Sequence, residues 1–234
     1  MPATLEGKHI VVTGGTGALG SAVVSKLIEG GAVCHVPNAH AAAPAHFTLS
    51  GDRLKLAHNV DLADPVKVDG FYARIPELWA SIHLAGGFAM APIEDTDPAS
   101  FEEMLDTNAR TTFLCCRAAV RGMLATGRGG RIVNVSARPG LDPRRGAGMV
   151  AYAASKAAVA AMTVALAEEV KANDILVNAI APSTLDTPAN RAAMPKADFG
   201  KWVSLDSVAE TVAALVSTRN IATSGALVPL YGKA

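Results

Sequence analysis

Thr13-Gly14-Gly15-Thr16-Gly17-Ala18-Leu19-Gly20 decides how the rest of the chain is read. It follows a short apolar run, His9–Val12, and opens a stretch of helical spacing, Ala18–Glu29. Gly15, Gly17 and Gly20 reproduce the pattern GxGxxG at that junction. Glycine there permits a tight turn and lets the backbone approach a pyrophosphate, whose charge rests on the helix N-terminus. A glycine-rich turn alone means little; the strand before it and the helix after it give it meaning.

Outward from the turn, short apolar runs alternate with helical patterns. Gly30-Gly31 stops the first helix, and Ala32–Val36 reads as the second strand. A loop with alanine and proline, His40–His46, leads to a third strand, Leu54–Asn59, and a helix, Pro65–Ile75. Trp79–Leu84 is the fourth strand, closed by Gly86-Gly87. Pro98–Thr126 reads as one long helix with an apolar stripe through Phe101, Leu105, Phe113, Leu114 and Ala118. Arg131–Ser136 and Ile175–Ile180 are strands around a helix, Tyr152–Ala172; Ser207–Ser217 is helical and Ala226–Leu230 a last strand. The alternation predicts βαβ units in one α/β domain over residues 1–234. It is a Rossmann-type, doubly wound, mostly parallel seven-stranded sheet with helices on both faces.

Composition agrees. Half the residues are hydrophobic but only 5% aromatic, so Ala, Val and Leu build the core. Lys plus Arg equals Asp plus Glu at 21 each, so bulk charge recruits neither nucleic acid nor an anionic membrane. Cys34, Cys115 and Cys116 form no CxxC and read as small buried hydrophobes in a reducing compartment. The six histidines show no metal-ligand spacing, so no metal is expected. Glu6, Gly7, Lys8 and His9 interrupt any signal-peptide pattern, and no uninterrupted apolar stretch is long enough to span a bilayer. The expectation is a soluble cytoplasmic protein.

Tyr152-Ala-Ala-Ser-Lys156 carries the chemistry. A spacing of four puts both side chains on one helical face. The lysine's charge favours tyrosinate and lowers the phenol's pKa. The tyrosine can then exchange a proton with a substrate oxygen or nitrogen while a nicotinamide exchanges a hydride. This YxxxK pair and the glycine turn together resemble the short-chain dehydrogenase/reductase superfamily. Its TGxxxGxG signature is met at Gly14 and Gly20, with Ala18 in place of the middle glycine. The resemblance implies NAD or NADP, held by Gly14, Gly15, Thr16, Gly17, Ala18, Leu19 and Gly20, by Asp61 and Leu62 at the adenine, and by Ala85, Gly86 and Gly87 after the fourth strand. Tyr152 and Lys156 contribute too, as do Pro182, Leu185 and Thr187 at the nicotinamide. Asn108 resembles the helix asparagine that holds a relay water. In Asn134-Val135-Ser136-Ala137, Ala137 falls at the register of the family's catalytic serine, and Ser136 takes the role only if the loop Arg138–Met149 re-aims it. The second strand ends Val36-Pro37-Asn38-Ala39-His40, with neither an acid to select NAD nor an arginine to select NADP.

From Thr184 to Trp202 the chain resembles dihydropteridine reductases, which use NADH on quinonoid dihydropterin and lack the usual serine. That likeness implies a substrate lid at about 184–206. Phe199 and Trp202 either stack on a flat ring or pack a surface helix there. The expected function is hydride transfer between nicotinamide and a small carbonyl or imine, quinonoid dihydropteridine among them. The alternative is a dinucleotide-sensing or partner-binding protein on the same fold. The family implies a homodimer or homotetramer through the two long helices, with a small-molecule substrate and no nucleic-acid or membrane partner.

Overall fold

The computed structural model describes residues 5–233. Its seven strands are β1 (His9–Thr13), β2 (Val33–Pro37), β3 (Leu54–Ala57), β4 (Leu78–His83), β5 (Gly130–Val135), β6 (Ile175–Pro182) and β7 (Leu227–Leu230). All pair in parallel, in the order β3-β2-β1-β4-β5-β6-β7. The central strands are nearly continuous apolar runs because both faces are covered. Ile10, Val11 and Val12 are fully buried, as are Ile132 and Val133. Strand order reverses between β1 and β4, so their carboxyl ends flank a crevice, the place where such sheets receive ligands. The Leu84 amide donates to the Thr13 carbonyl at 3.2 Å, and the Ala85 amide to Thr13 Oγ1 at 3.3 Å, closing its floor.

Helices α1 (Ala18–Glu29) and α8 (Leu205–Val216) cover one face through Val23, Val24, Leu27, Val208 and Val212. Helices α2 (Pro65–Tyr72), α4 (Thr111–Thr126) and α6 (Val150–Val170) cover the other. Asp64 caps α2 by accepting from the Val66 and Lys67 amides, with Pro65 at the first helical position, where a missing N–H costs nothing. The expected strand Leu54–Asn59 stops at Ala57, short of Asn59, which has a left-handed φ of 60°.

Residues 98–126 are not one regular helix. α3 (Pro98–Met104) passes into a π turn over Leu105–Arg110 before α4. The carbonyls of Thr107 and Asn108 accept from the hydroxyls of Thr111 (2.6 Å) and Thr112 (2.7 Å), which satisfies backbone in the widened turn. The expected apolar stripe is also corrected: Leu114 and Ala118 are buried, but Phe101 and Phe113 are 41% and 52% exposed. Polar Asn108, Thr111 and Thr112 occupy the buried face, so hydrophobic periodicity misplaced it. The helical span Val150–Asn173 is long and apolar enough by length and composition to cross a membrane, although Lys156 interrupts its apolar run. In the fold, Val159, Ala160, Thr163 and Ala167 face the interior. The loop Arg138–Met149 contains a short helix, α5 (Arg138–Leu141), and a 3-10 turn, Pro143–Gly146.

A polar chain crosses the interior beneath the crevice. Tyr72 Oη meets Ser81 Oγ at 2.8 Å, Ser81 Oγ meets His83 Nε2 at 2.8 Å, and His83 Nδ1 meets Asn134 Oδ1 at 2.8 Å. Asn134 Nδ2 donates to Thr163 Oγ1 at 2.9 Å, and that hydroxyl to the Val159 carbonyl at 2.8 Å. Each donor finds an acceptor if Tyr72 donates to Ser81, Ser81 to His83, and a neutral His83 carries its proton on Nδ1. A second proton would face the Ser81 hydroxyl, and burial holds the imidazole down to about 4 from an ordinary 6.5.

The unfolded chain therefore takes up a proton first as pH falls. The stability that neutral His83 confers above pH 6.5 is lost between about 6.5 and 4, up to ~3 kcal/mol. His35, also held down to about 4, acts in the same direction. Thermal melts from pH 7.5 to 4.5 should fall steeply, and His83→Gln should melt lower at neutral pH but with a flatter dependence. An equally steep fall in that variant would remove His83 from the account.

Candidate active site

The glycine turn sits on the crevice floor. Gly14 has φ +65°, and a Cβ there would lie 2.7 Å from the Ala85 amide nitrogen, so both the conformation and the approach of the β4 loop demand glycine. At Gly20 a Cβ would run into the Gly14 carbonyl and the Gly15 backbone, which is what lets α1 start so close to β1. Gly17 is the extended N-cap of α1 and has no side chain to occupy the first-turn amides. A turn with this build can hold an anionic diphosphate at a helix N-terminus. Thr16, Ala18 and Leu19 complete it, and His46 Nε2 lies 3.1 Å from the Thr16 carbonyl. At the end of β2, the buried Asn38 amide donates to the carbonyls of His40 (2.8 Å) and Ala42 (2.9 Å), so this side chain shapes the loop that follows. Asp61 accepts from the Ala63 amide at 2.9 Å within its own exposed turn, and Leu62 packs on the second core cluster.

Across the crevice, α6 brings Tyr152 and Lys156 together, with Lys156 Nζ 5.9 Å from the Tyr152 ring centroid. Lys156 is 5% exposed, and its ammonium donates to the Val135 carbonyl at the end of β5, 3.0 Å away. A Cβ at Gly86 would lie 3.3 Å from Nζ, so the small residue after β4 leaves that face of the ammonium open. Burial lowers the lysine to about 8 and, against the expected lowering by Lys156, raises the Tyr152 phenol to about 12. Tyr152 is thus protonated at neutral pH. The exposed Phe88 makes a T-shaped ring contact with it, with centroids 4.9 Å apart.

Ser136 is not brought to this surface. It is 1% exposed, and its hydroxyl donates to the Lys156 backbone carbonyl at 2.8 Å. Gly140 in α5 lies against both groups, so the loop that was to re-aim Ser136 instead seals it in. Ala137, at the other register, is buried as well. Asn108 is fully buried within the π turn. Its Oδ1 accepts from the Gly87 amide (3.1 Å), while Nδ2 donates to the Gly87 carbonyl (3.1 Å) and to Ser155 Oγ (3.1 Å). The Ser155 hydroxyl passes the bond on to the Tyr152 carbonyl at 2.8 Å. Asn108 therefore clamps the β4 loop to α6.

Pro182 closes β6. Leu185 bridges to Val203, and Thr187 caps α7 (Pro188–Ala193) by accepting from the Asn190 amide at 3.1 Å. Phe199 and Trp202 pack on each other, centroids 4.7 Å apart, and the Arg191 guanidinium lies 4.7 Å over Phe199 while bonded to Asp186. Both rings are engaged within the segment.

Phe88, Ser155 and Gly140 went unrecognised in the sequence. Ser155 lies inside the YxxxK motif, and its position one residue before the lysine was an available signal. Phe88 and Gly140 acquire their contacts only through tertiary packing.

A model of the short chain dehydrogenase family matches residues 8–198. The chain is 32% identical over 204 residues to a galactitol 2-dehydrogenase from Rhizobium johnstonii, covering 82% of this chain and 79% of that one. It is 30% identical over 187 residues to a sorbitol dehydrogenase from Cereibacter sphaeroides, covering 78% and 72%. Among solved structures, a putative NAD(P) dependent gluconate 5-dehydrogenase from Beutenbergia cavernae with bound NADP superposes with a TM-score of 0.88 at 25% identity, covering 99% of this chain and 98% of that one. The chain belongs to the short-chain dehydrogenase family of oxidoreductases.

Proposed function

We propose that this oxidoreductase uses NAD or NADP to interconvert a small carbonyl or imine with its reduced form. The observation that carries the reading is the pair of half-buried Tyr152 and buried Lys156 at the carboxyl end of the sheet, across the crevice from the glycine turn. Residues 14–20 would hold the diphosphate, and Asp61, Leu62 and Ala85–Gly87 would line the nucleoside and ribose path. Pro182, Leu185 and Thr187 would face the nicotinamide, with the Thr187 hydroxyl proton still available while its oxygen caps α7. The bound nicotinamide supplies or accepts the hydride.

The chain's own residues handle the proton. Tyr152, held protonated by burial, is the general acid that gives its phenolic proton to the developing alkoxide or amine. Lys156, charged below about 8, stabilises the tyrosinate left behind and presents N–H groups toward the Gly86 side of the crevice. Asn108 and Ser136 are positioning residues: the first fixes the β4 loop against α6, the second fixes the Lys156 backbone on β5. Phe88 packs on the tyrosine ring in a T-shaped contact and helps to fix its orientation.

Quinonoid dihydropteridine belongs to the proposed substrate class, but the two curated relatives are named for polyol oxidation, so an assay has to cover both chemistries. Their names as dehydrogenases also weigh against a sensor without turnover. Exposed Phe113 and Leu124 on α4 and Val164 on α6 are apolar surfaces through which the two long helices would self-associate.

Tyr152→Phe should lower kcat by about a thousandfold, within the range general acid–base catalysis supplies, with cofactor affinity nearly unchanged. Normal turnover would take the proton role from this residue. In the reductive direction kcat/KM should be flat near neutrality and fall as pH rises through about 8, where Lys156 loses its charge; a flat profile to higher pH would refute that assignment. Gly20→Val should abolish NADH and NADPH binding measured by fluorescence titration, since the new side chain pushes α1 off the turn. Unchanged affinity would place the diphosphate elsewhere.

A further inference from the structure

A second pocket lies away from the Tyr152–Lys156 pair, in the valley between the edge strand β3 and helix α2. It encloses about 530 Å³, within the range of small-molecule sites. Side chains alternate along a strand, so Leu54 and Leu56 pack into the core on the α1 side while Lys55 and Ala57 point to the α2 side. His35 on β2 lies beside them. From the opposite wall come Lys67 and Arg74, one on α2 and one just past its end, and His58 stands at the rim. Ala57, Phe71 and Ile75 supply apolar lining.

Three features set this valley apart from an ordinary solvated face. Arg74 takes part in none of the ion pairs among the described residues, although most surface arginines do, and Lys55 and Lys67 beside it are likewise outside those pairs. No carboxylate lines the pocket; Asp69, also on α2, is turned away to Arg117 and Arg121 on α4. Gly70 sits within α2, where glycine is a poor helix former, and a Cβ there would meet nothing within 4 Å. Its lack of a side chain widens the pocket without relieving any clash. At the bottom, His35 Nε2 is 2.8 Å from His9 Nδ1. Burial, His9 and Lys55 hold His35 neutral, and an anion alongside would reverse the effect of those neighbours.

We propose that this pocket binds a phosphomonoester with a compact apolar body, the phosphate held by Lys55, Lys67 and Arg74 and the body lying on Phe71 between the two walls. The site is separate from the hydride-transfer reading and stands if that reading fails. A lining that is part apolar, through Ala57, Phe71 and Ile75, and part cationic fits an amphipathic anion better than free phosphate, and three cations outside any ion pair among the described residues suit a dianion.

The probe is phenyl phosphate, titrated by calorimetry and by the His35 imidazole NMR signal against the protein alone and saturated with NADPH. Saturable millimolar binding is expected in both states, with His35 shifting toward its protonated position and inorganic phosphate binding at least about tenfold more weakly. Lys55→Gln with Arg74→Gln should weaken phenyl phosphate about tenfold or more. Gly70→Leu should block it while raising the melting temperature, since leucine is the better helix former. Binding lost when NADPH is present would mean the probe had entered the dinucleotide site, and would overturn the proposal. So would an unmoved His35 signal, or equal affinity in the Lys55/Arg74 and Gly70 variants.

Discussion

The carboxyl end of the sheet is organised around one buried ammonium. Lys156 reaches the Val135 carbonyl only because α6 lies close on β5, and the structure fixes that approach from several directions. Ser136 bonds the lysine's backbone carbonyl, and Gly140 lets α5 press against both. Asn108 and Ser155 tie the same helix to the loop after β4, and Gly86 leaves the ammonium uncovered on its remaining side. An ammonium out of water is costly unless its protons are bonded. One carbonyl is supplied by the chain itself, and its burial already lowers its affinity for a proton.

The same logic explains the polar chain in the core. A parallel sheet covered by alanine-rich helices could have been filled with aliphatic side chains alone. Instead Tyr72, Ser81, His83, Asn134 and Thr163 run across it from α2 to α6, every member bonded. Cys116 adds its thiol to the Asn134 oxygen at 3.4 Å. Such a network tolerates one register of β4 against β5 and one placement of α6, because any slip would strand a buried donor. Lys156 and Thr163 project from the same helix, so the order imposed in the core extends to the site.

The two ends of the molecule use charge differently. At the crevice, protein dipoles are left open at a helix terminus, and the Lys156 ammonium is buried. At the β3 edge, cations are exposed, lie outside the ion pairs among the described residues, and line a valley with some apolar surface. The first arrangement suits a ligand that is enclosed, the second a ligand that arrives from solvent and leaves its body on a hydrophobic floor.

By itself, the sequence determined whatever depends on local period and local conformation. The alternation of apolar runs with helical spacing gave the strand order's raw material, and GxGxxG placed the turn because φ > 0 at Gly14 and the contact at Gly20 are needs of a short stretch of backbone. YxxxK placed Tyr152 and Lys156 on one face because four residues make about one turn. Only the tertiary structure decided the rest. Ser136 turns inward to a partner 20 positions away, and Asn108 bonds partners 21 and 47 positions away. The π turn of residues 105–110 hides polar threonines on a buried face, which hydrophobic periodicity misreads. The pocket beside β3 is lined by Lys55 from the strand and by Lys67 and Arg74 from the α2 side, with no side chain at Gly70 between, and no spacing along the chain encodes which residues will line it together.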